Sequence, residues 1–246
     1  YGDDRGVYVP TTNDAEWTIE VRDTPEERPY VTGAIVRGLD LDEDSLDSLI
    51  QLQEKLHATM GRKRAKGAIG VHDLTMLKGG EASVSGGSPL TGGTDDAELP
   101  AGADDAGGTD ETVRKSITYT GIDPDGEEFV PLEGDAAMTP AEVIEDHHIG
   151  VEYADLVSEM DRVPAIYDSI ELFSFPPVIN GKRTEVTTDS RDLFIEMTGT
   201  DQWTIDHMLS IVCYALDARG GTIEAVEVSY ADDAPGEYSG RSFVRP

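Results

Sequence analysis

The stretch LFSFPPVINGKRTEVTTDSRDLFIEMTGTD, residues 172–201, combines two apolar segments with a turn signal between them. The segments 171–175 and 192–200 are short and mostly apolar, as buried strands are. Asn180-Gly181 lies between them in a turn-prone run at 176–182, and Asn-Gly between extended segments favours a β-hairpin. We therefore expect strand, turn and strand here.

The segments on either side add helices and further strands. Downstream, Thr200 or Asp201 can cap a long helix that stops at Gly220-Gly221, and the alternating residues 222–230 predict a half-buried strand. Upstream, the β-branched run at 30–39 predicts a strand, and the following apolar stripe predicts a helix that ends at Gly61. Strands and helices follow no fixed alternation, so the predicted class is α+β with mixed strands and helices.

One segment, 79–111, interrupts this pattern. It holds nine glycines and eight acidic residues, with no basic residue. Such a composition buries too little apolar surface to offset the entropy of ordering. We predict an acidic, glycine-rich, mobile insertion.

Acidic residues dominate the composition, with 50 Asp plus Glu against 19 Lys plus Arg and a formal net charge of −31. Charge of this size concerns solubility rather than fold, and it indicates adaptation to high salt. Because salt screens the repulsion, the charge alone does not exclude a nucleic-acid partner.

Cysteine content and hydropathy indicate the compartment. The single Cys213 excludes a disulfide framework and a thiolate metal cluster. No apolar run is long enough to cross a bilayer, and the first residues lack the features of a signal peptide. We expect a cytoplasmic protein without a membrane partner, and the absent start Met suggests a fragment of a longer chain.

The candidate chemistry lies in two places, because GxSxG, Walker, GxGxxG, HExxH and CxxC motifs are absent and no metal ligand set is predicted. Glu196 places a carboxylate in an apolar strand, and His72-Asp73 ends the stretch GRKRAKGAIGVHDL at 61–74. Glu196 could instead occupy the outward face of an alternating strand, and His72 could be a packed core histidine.

Four cations also stand out in that stretch, at positions 62, 63, 64 and 66. They follow a predicted helix end, where unsatisfied carbonyls attract positive charge. That effect accounts for one or two cations but not for four. Phosphate binding is the functional alternative.

Three long blocks resemble the β chain of archaeal and eukaryotic cytosolic phenylalanyl-tRNA synthetases. They are SLIQLQEKLHATMGRKRAKGAIGVHDL (48–74), FVPL with MTPAEVIEDH (129–147), and LFSFPPVINGKRTEVT with FIEMTGTD (172–201). The resemblance covers residues 28–230 apart from the insertion, and the acidic composition suggests a halophilic archaeal source.

The resemblance implies a B3/4 editing domain at 28–230, which hydrolyses tyrosine wrongly esterified to tRNA(Phe). Residues 1–27 would be a linker or edge segment from a preceding domain, and 231–246 a linker to the next. The synthetic site would lie on an α chain, in a heterotetramer of two α and two β chains. The fragment itself would need no cofactor, whereas the whole synthetase would use ATP and Mg²⁺. No DNA partner is expected.

The resemblance also implies roles for individual residues. Glu196 would bind the phenol hydroxyl, with Thr198 on the same strand face, Ser174 opposite and Ala165 in the pocket wall. His72 and Asp73 would orient the substrate or the attacking water as the catalytic pair. The residues expected to meet tRNA phosphates are Arg62, Lys63, Arg64 and Lys66.

Two other readings remain open from the sequence. The domain could be a non-catalytic scaffold or tRNA-binding module of the synthetase, with a vestigial pocket. It could also be a free-standing aminoacyl-tRNA deacylase or an amino-acid-sensing domain of the same fold.

Overall fold

A computed structural model describes residues 15–81 and 114–245. Residues 82–111 of the predicted insertion, and 1–14 of the predicted leading segment, lie outside this described part. The strands are β1 (Trp17–Val21), β2 (Tyr30–Arg37), β3 (Gly67–Asp73), β4 (Gly80–Glu81), β5 (Lys115–Ile122), β6 (Val163–Tyr167), β7 (Leu172–Phe175), β8 (Ile179–Asn180), β9 (Leu193–Gly199), β10 (Thr222–Tyr230) and β11 (Ser242–Arg245). The α-helices are α1 (Glu43–Ala58), α2 (Pro140–Asp146), α3 (His148–Tyr153) and α4 (Gln202–Asp217).

All described strands belong to one mixed sheet. Its order is β3-β9-β2-β10-β1-β5-β6-β7-β8, with β11 added to β10 and β4 to β5. The sheet curls until its two end strands approach each other. Asn180 Nδ2 in β8 donates a hydrogen bond to the carbonyl of Val71 in β3 at 3.4 Å. The α+β prediction is confirmed, and the curl creates a cleft between the first and last strands.

The sheet includes two segments that sequence analysis assigned to linkers. β1 lies inside the sheet, parallel to both β10 and β5, so it is not an edge segment. Its residues Trp17, Ile19 and Val21 are buried in the core, and this apolar packing holds β1 in the middle of the sheet. β11 likewise pairs antiparallel with β10, within the predicted trailing linker.

The two long helices form where the sequence predicts them. Asp42 caps α1 through the amide of Ser45, and Asp201 caps α4 through the amide of Thr204. Both helices pack on one sheet face, where their apolar residues meet Ile69, Val71, Ile195 and Met197. Trp203 of α4 instead points outward, with 62% of its surface exposed.

The hairpin predicted at Asn180-Gly181 forms elsewhere. Pro176–Val178 makes the turn between β7 and β8, closed by the Val178 amide on the carbonyl of Phe175 at 2.8 Å. Proline cannot donate a ladder hydrogen bond, so the two prolines end β7 five residues before Gly181. β9 then pairs with β2 and β3 rather than with β7.

Within the described residues, no helix is long and apolar enough to cross a membrane.

Candidate functional site

Glu196 lies in β9 between two glycines of the neighbouring strands. It pairs in register with Gly33 of β2 and with Gly70 of β3. A Cβ at residue 70 would overlap Oε1 of Glu196, so only glycine leaves the space that the carboxylate fills. Glu196 is 1% exposed, which rules out the alternative of a solvent-facing strand position.

The two oxygens of this carboxylate differ in their partners. Oε1 accepts a hydrogen bond from Ser174 Oγ at 3.1 Å, so the predicted placement of Ser174 opposite Glu196 is reproduced. Oε2 is buried and has no hydrogen-bond partner among the described residues. A buried acceptor left unpaired costs free energy, so this oxygen suits a ligand that donates a hydrogen bond to it.

His72 stands beside Glu196, two residues from Gly70 on the same strand face. Its Nδ1 is hydrogen-bonded to Thr184 Oγ1 at 2.8 Å, and its ring packs edge-on against Phe173. Its Nε2 lies 3.9 Å from Oε1 of Glu196 and has no hydrogen-bond partner in the described part of the chain. His72 is therefore a packed, hydrogen-bonded histidine that also lies beside Glu196.

Asp73, the other predicted catalytic residue, points away from this group because successive strand residues face opposite sides. Its carboxylate accepts hydrogen bonds from Ser190 Oγ at 2.6 Å and from the amide and hydroxyl of Thr75. Burial opposes ionisation of Asp73, but these hydrogen bonds outweigh it and lower its pKa. The structure gives Asp73 a capping role and does not bring it to Glu196.

Two predicted pocket residues also sit apart from the cavity. Ala165 in β6 is fully buried in a separate core cluster with Phe129 and Val143, which corrects its assignment to a pocket wall. Thr198 shares the strand face of Glu196 as predicted, but its hydroxyl accepts a hydrogen bond from Arg28 Nε at 2.8 Å. Thr198 therefore anchors Arg28 instead of lining the pocket.

A cavity of about 390 Å³ opens beside Glu196, between the edge of β3, helix α1 and the β7–β8 turn. Its polar walls include the carboxylates Glu54, Glu133, Glu185 and Glu196, the hydroxyls Ser174 and Thr184, and the side chains of His57, Arg64 and Asn180. Its apolar walls include Leu49, Ile69, Val71, Val178 and Ile179. The volume suits an amino-acid side chain with its backbone groups.

The four predicted phosphate-binding cations divide into two pairs. Arg64 donates to the carbonyl of Val178 at 2.9 Å and lies over the ring of Tyr153 at 4.0 Å, and Lys66 pairs with Asp201 at 3.2 Å. Arg62 and Lys63 are exposed, with no ion pair among the described residues. Only Arg62 and Lys63 are thus free to meet phosphates.

The backbone of this turn is strained. Arg62, Lys63 and Arg64 have φ values of 49°, 55° and 67°, a left-handed conformation that side chains disfavour. The amide of Lys63 donates to the carbonyl of His57 at 2.7 Å, and Arg28 Nη1 donates to the carbonyl of Arg64 at 3.2 Å. These bonds hold the turn so that the two free cations project from one place.

Sequence reasoning missed two residues: His57, which lines the cavity, and Arg28, which is buried and bonded to Thr198 in the strand of Glu196. Burial lowers the pKa of Arg28 to about 10, although the charge of Glu196 and the phenol of Tyr119 oppose this. Burial also lowers the pKa of His57 to about 4, and its Nε2 accepts from the amide of Ile69 at 2.9 Å. His57 does fall on the apolar stripe of α1, between Leu49 and Met60, and that position was a usable signal.

No family model matches the chain, but known proteins are similar to it in sequence. The phenylalanine–tRNA ligase β subunit of Haloarcula marismortui is 67% identical over 246 residues, which is 100% of this chain and 38% of that protein. The β subunit of Natronomonas pharaonis is 65% identical over 100% of this chain and 37% of its own length. That of Methanocaldococcus jannaschii is 37% identical over 91% of this chain and 36% of its own.

A solved structure is similar in fold, the crystal structure of an N-terminal fragment of the phenylalanyl-tRNA synthetase β subunit from Pyrococcus horikoshii. It superposes with a TM-score of 0.76 at 32% identity, over 98% of this chain and 57% of that fragment. This chain spans 38% of the length of the Haloarcula relative. In sequence and in fold, the chain belongs to the phenylalanine–tRNA ligase β-subunit family.

Proposed function

We propose that this chain is the editing domain of a phenylalanine–tRNA ligase β subunit and hydrolyses tyrosine wrongly esterified to tRNA(Phe). The observation that carries the proposal is the unpartnered Oε2 of Glu196, buried beside the cavity. A phenol hydroxyl is a donor of the right kind for this oxygen. Phenylalanine has no such donor.

The energetic contrast between the two substrates follows from this oxygen. A bound phenylalanyl group would keep Oε2 desolvated and unpaired, at a cost of about 1–3 kcal/mol. That corresponds to roughly a 5- to 150-fold preference for tyrosine. An apolar synthetic pocket rejects an added hydroxyl only weakly, so a second site that requires the hydroxyl supplies the missing selectivity.

The reaction needs positioning more than a protein nucleophile. Water adds to the ester carbonyl, the bond from that carbon to the ribose oxygen breaks, the ribose oxygen takes up a proton, and free tyrosine leaves. The Ser174 hydroxyl bonds to Glu196 and the Thr184 hydroxyl to His72, while Asp73 bonds to Ser190 instead of His72, so these residues form no Ser-His-Asp arrangement. Water is therefore the nucleophile in our proposal, and orientation contributes most of the rate.

The wider assignments are part of the same proposal. The whole ligase would assemble this chain with an α chain in a two-and-two heterotetramer, bind tRNA(Phe) and work in a salt-rich cytoplasm. The cavity lining does not fit the phosphates of ATP, because it repels their negative charge. Four carboxylates line it, and Arg64 is already bound to main-chain carbonyls. The proposed editing reaction uses neither ATP nor Mg²⁺.

The test is to incubate the chain with Tyr-tRNA(Phe) and Phe-tRNA(Phe) in high KCl and to follow loss of each ester. We expect tyrosine to be released at least about fivefold faster than phenylalanine, as the unpaired oxygen implies. Equal release would contradict the assignment of selectivity to this cavity. Release of neither would contradict the hydrolase proposal and favour the scaffold reading.

A further inference from the structure

The outer edge of β3 faces the cavity with main-chain groups. β3 is an end strand of the sheet, and its register with β9 pairs Gly70 with Glu196. The ladder continues beyond both ends through Leu74 N to Asp192 O and Thr200 N to Lys66 O. These bonds place the even-numbered residues of β3 in hydrogen-bonded pairs. The amides and carbonyls of Ile69 and Val71 therefore point outward, away from β9.

Two side chains occupy the outer positions of this edge. His57 Nε2 accepts from the amide of Ile69 at 2.9 Å, and Asn180 Nδ2 donates to the carbonyl of Val71 at 3.4 Å. Between these bonds, the carbonyl of Ile69 and the amide of Val71 have no partner among the described residues. Both residues line the cavity. The edge thus has an open gap, one residue long, centred on Gly70.

This pair of groups matches one residue of a parallel strand. In parallel pairing, a residue donates its N–H to the carbonyl preceding its neighbour and accepts from the amide following it. A residue opposite Gly70 would donate to Ile69 and accept from Val71. Its side chain would project on the same sheet face as residue 70, which is the face that holds the Glu196 carboxylate.

We propose that this gap binds the aminoacyl ester itself, by addition of a single residue to the edge of β3. The inference rests on the proposed editing function and names the groups that hold the reacting ester. The α-ammonium donates to the carbonyl of Ile69, and the ester carbonyl accepts from the amide of Val71. The phenol of the same residue then reaches toward Glu196 from the correct side of the sheet.

The amide of Val71 has a further role in hydrolysis. As water adds to the ester carbon, negative charge develops on the carbonyl oxygen. An amide already aimed at that oxygen stabilises the charge without reorganisation. When the tetrahedral intermediate collapses, the C–O bond to the ribose breaks, the ribose oxygen is protonated and the carbonyl re-forms. A substrate with an acylated α-amino group would lose its charge-assisted bond to Ile69.

The first test compares Val71→Pro with Val71→Ala in hydrolysis of Tyr-tRNA(Phe). Proline removes the N–H at an edge position where a strand tolerates it, and alanine keeps the N–H while removing the same apolar side chain. We expect proline to slow hydrolysis by about 10²- to 10³-fold, the usual loss for one oxyanion donor. Alanine should slow it by less than about tenfold. Equal rates in the two variants would overturn the assignment.

The second test needs neither hydrolysis nor a folded proline variant. Tyrosinamide, which keeps the α-ammonium and a carbonyl, is titrated into the parent chain while backbone amide shifts are followed by NMR. The Val71 amide should shift downfield with tyrosinamide and should not shift with N-acetyltyrosinamide. If tyrosinamide leaves the Val71 amide shift unchanged but moves the amide shifts of Ser174 and Glu196, the edge site is overturned and the proposed function still stands. If the parent releases neither ester, the proposed function fails instead.

Discussion

The carboxylate of Glu196 in β9 occupies the space that a side chain at Gly70, its partner in β3, would need. A Cβ on residue 70 would overlap Glu196 Oε1 and stand 2.9 Å from His72 Nε2. The glycine thus leaves room for the buried carboxylate and the imidazole.

Gly70→Ala should therefore damage the site. The added methyl group must displace the Glu196 carboxylate or the strand, so we expect a loss of about 1–3 kcal/mol in the free energy of unfolding. The tyrosine preference should fall as well. Gly80→Ala is the matched control, because its Cβ would meet nothing nearer than Ser116 Oγ at 3.4 Å. Denaturant unfolding and ester hydrolysis of both variants measure these effects, and an unaffected Gly70→Ala would mean the carboxylate lies elsewhere.

Charge reversal of the two free cations should act on tRNA rather than on selectivity. Arg62 and Lys63 are exposed and project from the strained turn. In the double variant Arg62→Glu, Lys63→Glu, we expect weaker use of tRNA and a shallower dependence of binding on salt, by about two units of log–log slope. The ratio of tyrosine to phenylalanine release should stay within about twofold of the parent, as for contacts that only position. A changed ratio with unchanged tRNA affinity would contradict this division of roles.

Arg64 in the same turn should respond differently, because its guanidinium bridges three parts of the fold. It reaches Val178 and Pro177 carbonyls, Glu54 and the ring of Tyr153. Lysine keeps the charge but not this fork. Arg64→Lys should lower the free energy of unfolding by about 1–3 kcal/mol. Arg62→Lys is the same change two residues away, where the side chain has no ion pair or hydrogen bond among the described residues, and it should change this free energy by less than about 0.5 kcal/mol. Equal effects would show that the Arg64 contacts contribute nothing.

Stability should fall with acid through His57. Burial lowers its pKa to about 4, below the unfolded value of about 6.5. The unfolded chain thus binds more protons between these values, and the contribution of His57 is present above pH 6.5 and is lost as pH falls toward 4. The loss is at most about 1.4 kcal/mol per pH unit. His57→Gln cannot titrate, so the parent-minus-variant difference in unfolding free energy should shrink across this window. A constant difference would contradict a neutral, buried His57.

Local features of the fold were predictable from sequence, and strand order was not. Apolar periodicity predicts β2, α1, α4 and β10, and the N-caps of α1 and α4 are Asp42 and Asp201. Periodicity and capping both involve residues that are close together in the sequence. The interior place of β1 and the pairing of β9 with β2 and β3 arise from contacts across the whole chain. The Asn180-Gly181 hairpin was wrong because the prolines before it end β7 first.

The site divides along the same line. The resemblance pointed to Glu196, Ser174 and His72, and the structure brings these three together. It could not indicate that Arg64 is held by main-chain carbonyls, because that depends on tertiary partners. Strand alternation, by contrast, already places Asp73 on the face opposite His72. Arg28 gave no signal, since a lone arginine before a strand is usually a surface residue.

The most direct test of the account compares Glu196→Gln with the parent chain in hydrolysis of Tyr-tRNA(Phe) and Phe-tRNA(Phe) under identical salt. Glutamine keeps the size of the side chain but replaces one acceptor oxygen with a donor. The account predicts that the tyrosine preference falls at least about fivefold, through slower tyrosine release and unchanged or faster phenylalanine release. A variant that folds normally and still prefers tyrosine as strongly as the parent would contradict the central role of Glu196.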